Sequence, residues 1–176
     1  MKLLSLALCF GITAFAADPI RVMLLDATLA AFHYVAIVLL VGFLAAEAVL
    51  CKPDYVSAAT IRRLRLYDLL YFVCAILVLA TGLARLIWGP WGAVYFMAST
   101  FFWAKVAAFL LIALLSIPPT LAFMRWRKRL KTDETALPTA DEVLRARRWI
   151  LWEAHVLILL PVFAAMMGRG LGQMGS

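Results

Sequence analysis

Charge is scarce in this chain: 15% of its 176 residues are Asp, Glu, Lys or Arg, where a soluble domain carries about 25%. Cysteine is scarcer, and Cys9, Cys51 and Cys74 show neither metal-ligand nor redox spacing, which excludes a zinc module and a disulfide framework. Histidine occurs twice, at His33 and His155, with no fixed motif around either. No stretch alternates apolar and polar over the ~10 residues of a barrel strand. Internal repeats and low-complexity segments are missing too, and the prolines Pro118-Pro119 and Pro161 do not fall in related halves, as the broken helices of a transporter would. Between the second and third apolar runs there is no Lys or Arg apart from the flanking Arg85 and Lys105.

What the chain does have is apolar length. It is 66% hydrophobic, with a mean hydropathy of +0.96. Crossing the hydrocarbon as a helix takes ~20 apolar residues, and four runs qualify, at about 23–51, 66–88, 100–124 and 149–167. The expected fold is all-α, a four-helix transmembrane bundle over residues 18–176. Residues 1–17, with Lys2, an apolar run and Ala14-Phe15-Ala16, have the form of a signal peptide, expected to be cleaved before Ala17. An uncleaved anchor is the alternative.

The net charge of +7 is concentrated in two loops. Lys52, Arg62, Arg63 and Arg65 lie between spans one and two. Arg125, Arg127, Lys128, Arg129, Lys131, Arg145, Arg147 and Arg148 lie between spans three and four. The positive-inside rule puts both loops in the cytoplasm and the chain termini on the periplasmic side of a bacterial inner membrane. Basic loops of this kind read as topology and anionic lipid contact, not as a nucleic-acid interface.

Ionisable residues inside a span are costly and so are functional candidates. By depth they fall into two sets. Near the outer boundary lie His33, Arg85, Lys105 and Met166, beneath a hairpin rich in aromatics (Trp88, Trp91, Tyr95, Phe96, Phe101, Phe102, Trp103). An imidazole, two cations and a thioether suit a flat dianion such as haem b. His33 would ligate the iron with Met166 or another donor opposite, while Arg85 and Lys105 would pair with propionates. Near the inner boundary lie Glu47, Asp68, Glu153 and His155, a set that suits ion pairing with the basic loops or a proton relay. Asp68 is within helical reach of Arg65 or Arg62. Thr139 and Glu142 form a capping box that should start a helix near Ala140 and lead into span four. Pro118-Pro119 should kink span three, with Ser116 and Thr120 placed to satisfy the freed carbonyls.

Several of these residues sit in a recognisable pattern: the His33 helix ending in Glu47, Ala80-Thr81-Gly82-Leu83-Ala84-Arg85, Phe102-Trp103-Ala104-Lys105, Ser116-Ile117-Pro118-Pro119-Thr120, Glu153-Ala154-His155 and Met167-Gly168-Arg169-Gly170. From Leu24 to Gly172 the chain resembles a bacterial family of predicted four-helix inner-membrane proteins of unknown function. More distantly it resembles the haem-binding bacterial protoporphyrinogen oxidase and the copper-resistance membrane proteins of the D type. The oxidase resemblance implies a functional pair at His33 and Lys105, with Lys105 the candidate catalytic group. That group's further span-three His is replaced here by apolar residues, and His155 has no counterpart in it.

The leading expectation is therefore a haem- or porphyrin-binding redox protein. The alternatives are a non-catalytic membrane subunit whose buried charges hold helices together, and a metal or small-solute permease. Expected partners are the lipid bilayer and either a second copy of the chain or a membrane redox protein.

Overall fold

The computed structural model describes residues 19–173 and is all-helical among them. The expected signal segment lies outside the described residues. Six helices carry the fold: α1 (Pro19–Leu50), α2 (Ala58–Trp88), the short α3 (Gly92–Met97), α4 (Thr100–Thr132), α5 (Ala140–Leu157) and α6 (Leu159–Gly168). A single 3-10 turn, Pro53–Tyr55, joins α1 to α2. The candidate spans are Ile20–Leu50, Ala58–Trp88, Thr100–Thr132 and Ala140–Gly168, with mean hydropathies of 2.0 to 2.3.

The spans bury narrow stripes at steps of three or four residues, the spacing of a helix-facing seam. On α1 the stripe is His33, Ala36, Leu40, Leu44 and Glu47. On α2 it is Ile61, Leu64, Asp68, Tyr71, Cys74 and Val78, and on α5 Val143, Ala146, Ile150 and Glu153. The other faces are apolar and bare, as with Phe32, Val38, Phe72, Leu110 and Leu114. Surfaces of that kind are stable only against lipid. The chain is a multi-pass membrane protein.

The local signals place the helix ends. Ser57 caps α2 by accepting from the Thr60 amide at 3.1 Å. Thr139 and Glu142 close the expected capping box on α5, at 3.3 and 3.0 Å. The helix that starts there does run into span four but breaks at Ile158, because Pro161 has no N–H for the Leu157 carbonyl and its ring crowds that carbonyl. The Pro118-Pro119 pair, in contrast, sits inside an uninterrupted α4. Neither hydroxyl reaches the Leu114 and Leu115 carbonyls that the prolines free: Ser116 donates to the Ala113 carbonyl at 2.8 Å, while Thr120 turns away from the backbone and donates to Asp68. In the exposed loop after α4, the Thr135 hydroxyl and amide both donate to Asp133, which holds its carboxyl below the usual range.

Packing is uneven along the bundle. α1 lies along α2, α2 against α4, α4 against α5 and α6, and α5 closes the ring onto α1. The closure is at the end bearing the basic loops, where Cys51 Sγ meets the Val143 carbonyl and Arg147 donates to the Ala48 and Cys51 carbonyls. Ile61, Phe123, Trp126, Val143 and Ile150 are almost wholly buried there. At the aromatic end the chain after α6 folds back over the start of α4. Gly172, at φ 75°, offers its carbonyl to the Thr100 amide at 2.9 Å, satisfying one of that helix's open donors.

Candidate functional site: two polar levels in the bundle

The first level is at the aromatic end and is built by α1, α2 and α4. His33 is 6% exposed on the α1 stripe, and its Nδ1 lies 2.8 Å from Thr81 Oγ1. The Thr81 hydroxyl donates its one proton to the Leu77 carbonyl at 2.6 Å, so it accepts from His33. Nδ1 therefore carries the ring proton of the neutral imidazole, and Nε2 keeps its lone pair, a tautomer assigned from the hydrogen-bond network. Among the described residues the one hydrogen bond of normal geometry to the ring is at Nδ1, and the Val78 carbonyl is a further polar neighbour of the imidazole. Gly82 faces the ring, and a Cβ there would stand 3.4 Å from His33 Cε1, in ordinary contact.

Arg85, one turn beyond Thr81, donates from Nε to Asp26 of α1 at 3.0 Å. Its nearest counter-charge is thus internal. Lys105, half-buried on the inward face of α4, is an electrostatic neighbour of both His33 and Arg85. It makes no ion pair or hydrogen bond among the described residues. Three of the four residues expected at this level are brought together. Met166 is not: it is 37% exposed on α6, whose packing partners are α4 and α5 rather than α1. The aromatic hairpin forms a belt more than a roof, with Trp88, Trp91 and Trp103 about half exposed or more and the Trp91 and Tyr95 rings tilted against each other with centroids 5.2 Å apart.

The second level is 14 residues farther along α1, ~21 Å away. Glu47, Asp68 and Glu153 are 3%, 5% and 1% exposed and come from three different helices. Asp68 takes the guanidinium of Arg65 at 2.7 Å and the hydroxyl of Thr120. Glu47 and Glu153 form no ion pair, although basic loops adjoin this end. Of those loop arginines Arg65 is taken by Asp68, Arg129 by Glu142 and Arg147 by backbone carbonyls, and the others lie on exposed faces. His155 does not join this level. It is two residues past Glu153, on the opposite face of α5, exposed, with Nδ1 2.5 Å from the Leu151 carbonyl.

Four contributors were not singled out by sequence: Thr81 as the partner of His33, Asp26 as that of Arg85, Thr120 as that of Asp68, and Tyr71. Helical spacing holds the signal for two of them. Thr81 shares the face of Arg85, and Tyr71 shares that of Asp68 three residues before it. The pairings across helices depend on which stripes face each other.

The donor set at the aromatic level fits a haem in part. An imidazole anchored at Nδ1 with its lone pair on Nε2 is the form in which histidine ligates a metal, and an unpaired ammonium beside it suits an anionic side group. Met166, the expected second ligand, lies partly exposed on α6, which packs on α4 and α5. Among the described residues no three His, Cys, Asp or Glu side chains are grouped so as to hold a metal ion by themselves.

Four apolar spans around two buried polar levels define a polytopic integral membrane protein. Residues 25–172 match the family model described as "Predicted membrane protein (DUF2214)", and the chain belongs to that family. None of the curated proteins and none of the solved structures compared with the chain matches it.

Proposed function

We propose that this protein resides in the bacterial inner membrane and binds haem b, or a porphyrin of like shape and charge, at the aromatic level in a redox role. The observation that carries the reading is the His33 imidazole, fixed by Thr81 with its lone pair on Nε2, beside the unpaired Lys105 ammonium. His33 would ligate through Nε2 and the unpaired Lys105 would neutralise one carboxylate, while Arg85, already paired with Asp26, would share its guanidinium with the other. When bound, the haem supplies one-electron chemistry. The chain's own part is to hold the tautomer, keep the site apolar and place a proton-bearing amine next to it; Lys105 is the residue for proton donation. The distant resemblance to the haem-binding oxidase belongs to this proposal, as does the orientation, with basic loops cytoplasmic and both termini periplasmic.

Haemin titration of the purified chain in detergent tests the reading. Wild type should bind with a defined stoichiometry, His33→Ala should lose the bound spectrum, and Lys105→Ala should retain it with weaker affinity. Equal binding by wild type and His33→Ala would contradict it. The Asp26–Arg85 and Arg65–Asp68 pairs favour a second reading, a non-catalytic partner subunit whose charges bridge or cap helices; that protein would bind no haemin.

A further inference from the structure

The level at the basic end has more buried acid than counter-charge. Asp68 is balanced by Arg65 and further held by Thr120. Glu47 and Glu153 are as deeply buried with no cation in contact. One oxygen of each, Oε1, is sealed from solvent with no partner in hydrogen-bond geometry, and the hydroxyl of Tyr71, itself 6% exposed, lies beside the Glu153 carboxyl, close enough to interact with it but short of a well-formed hydrogen bond. These groups are electrostatic neighbours: Glu47 of Asp68 and Glu153, and Tyr71 of all three acids. A helix bundle that only needed packing here would carry apolar residues at these stripe positions, as it does one turn either way at Leu44, Cys74 and Ile150. Leaving buried polar atoms unsatisfied is costly. Two uncompensated carboxylates in one apolar seam would be costlier still.

We propose that Glu47 and Glu153 form a proton-binding site at the basic end of the bundle, two neutral carboxylic acids that exchange protons with water, with the Tyr71 hydroxyl in their hydrogen-bonded network. Uptake forms an O–H bond on a carboxylate oxygen with a proton delivered by water; release returns that proton to water, and no electron moves. Glu47 is one turn from the end of α1, ~6 Å of helix from the basic loop, which gives the shortest route to solvent. The other titratable or charged groups around the site are Cys51 just past the end of α1, Arg65 and Asp68 on α2, and Arg147 on α5, which is held by the Ala48 and Cys51 carbonyls; α4 adds the Thr120 hydroxyl. A metal ion gathered by all three acids is not favoured, because they do not converge as a ligand set.

Infrared difference spectroscopy of the full chain in lipid nanodiscs, with pH stepped across neutrality and H2O exchanged for D2O, tests the site. Wild type should show carbonyl-stretch bands of protonated carboxyls that shift in D2O and change with pH. Glu47→Gln and Glu153→Gln should each remove one component. Tyr71→Phe, which keeps the ring and its packing, should shift a component without removing it. Should a glutamine variant fail to fold, the wild-type and Tyr71→Phe spectra decide: no pH-dependent protonated-carboxyl band, or one untouched by loss of the hydroxyl, overturns the proposal. Bleaching of the band by sodium chloride but not choline chloride at fixed pH would also overturn it, assigning the site to a metal cation. The readout does not involve haem, so its failure is separate from failure of the aromatic-level reading.

Discussion

His33 and Thr81 come from different helices, yet the hydroxyl controls which ring nitrogen of the histidine keeps its lone pair, because its own proton is committed to the Leu77 carbonyl. Thr81→Val keeps the shape and deletes the acceptor. Loss of such an orienting partner typically lowers metal affinity about 10- to 100-fold, and haemin titration of Thr81→Val should show a loss in that range with the protein still monodisperse. An unchanged affinity would mean that Thr81 does not orient the ring. At this scale the sequence was partly legible. His33, Glu47, Asp68 and Glu153 stand out because ionisable residues in apolar runs are rare. Thr81, Tyr71 and Thr120 do not stand out, since a hydroxyl in a membrane helix can as readily bond its own backbone. Depth along the span groups His155 with the inner acids. A shift of two residues from the Glu153 stripe, about 200° around the helix, puts it on the outer face instead.

Helix α2 meets α1 closely where Gly82 faces His33. A methyl group at Gly82 would be in ordinary contact with the imidazole, at 3.4 Å, but a longer side chain would occupy the ring's space. Gly82→Leu should therefore weaken haemin binding at least as much as Thr81→Val. Gly42→Leu on α1 should bind normally, because a Cβ there meets nothing within 4 Å. Similar binding by both variants would show that the α1–α2 approach does not shape the site. Element boundaries were legible where side chains make them: the capping box at Thr139 and Glu142 starts α5 as expected. The prolines were harder to read. Pro118 and Pro119 leave α4 continuous, whereas Pro161 divides span four at Ile158. Pro119 is buried and Pro118 half-buried, whereas Pro161 is exposed.

Seen whole, the molecule is tight at its basic end and loosely packed at its aromatic end, where His33, Ala36, Val78, Ala108 and Ser99 are the main buried side chains. Regions with few buried contacts open most easily, and a planar ligand could enter the aromatic half without disrupting the core around Phe123 and Trp126. Orientation follows from charge: reporter fusions after Arg63 and Leu130 should report cytoplasm, and those after Trp91 and Gly172 periplasm. A periplasmic signal at Leu130 would reverse the two levels relative to the membrane. Four spans were legible because hydropathy alone marks them; the way the stripes pair, and so the separation of the two levels, needed the fold. The measurement that bears most directly on the proposed function is the absorption spectrum of the chain purified from haem-replete cells, oxidised and then reduced, beside His33→Ala and His155→Ala. Wild type and His155→Ala should show a Soret band that shifts on reduction, and His33→Ala should show none. A colourless wild type, or a band that survives in His33→Ala, would contradict haem ligation at the aromatic level.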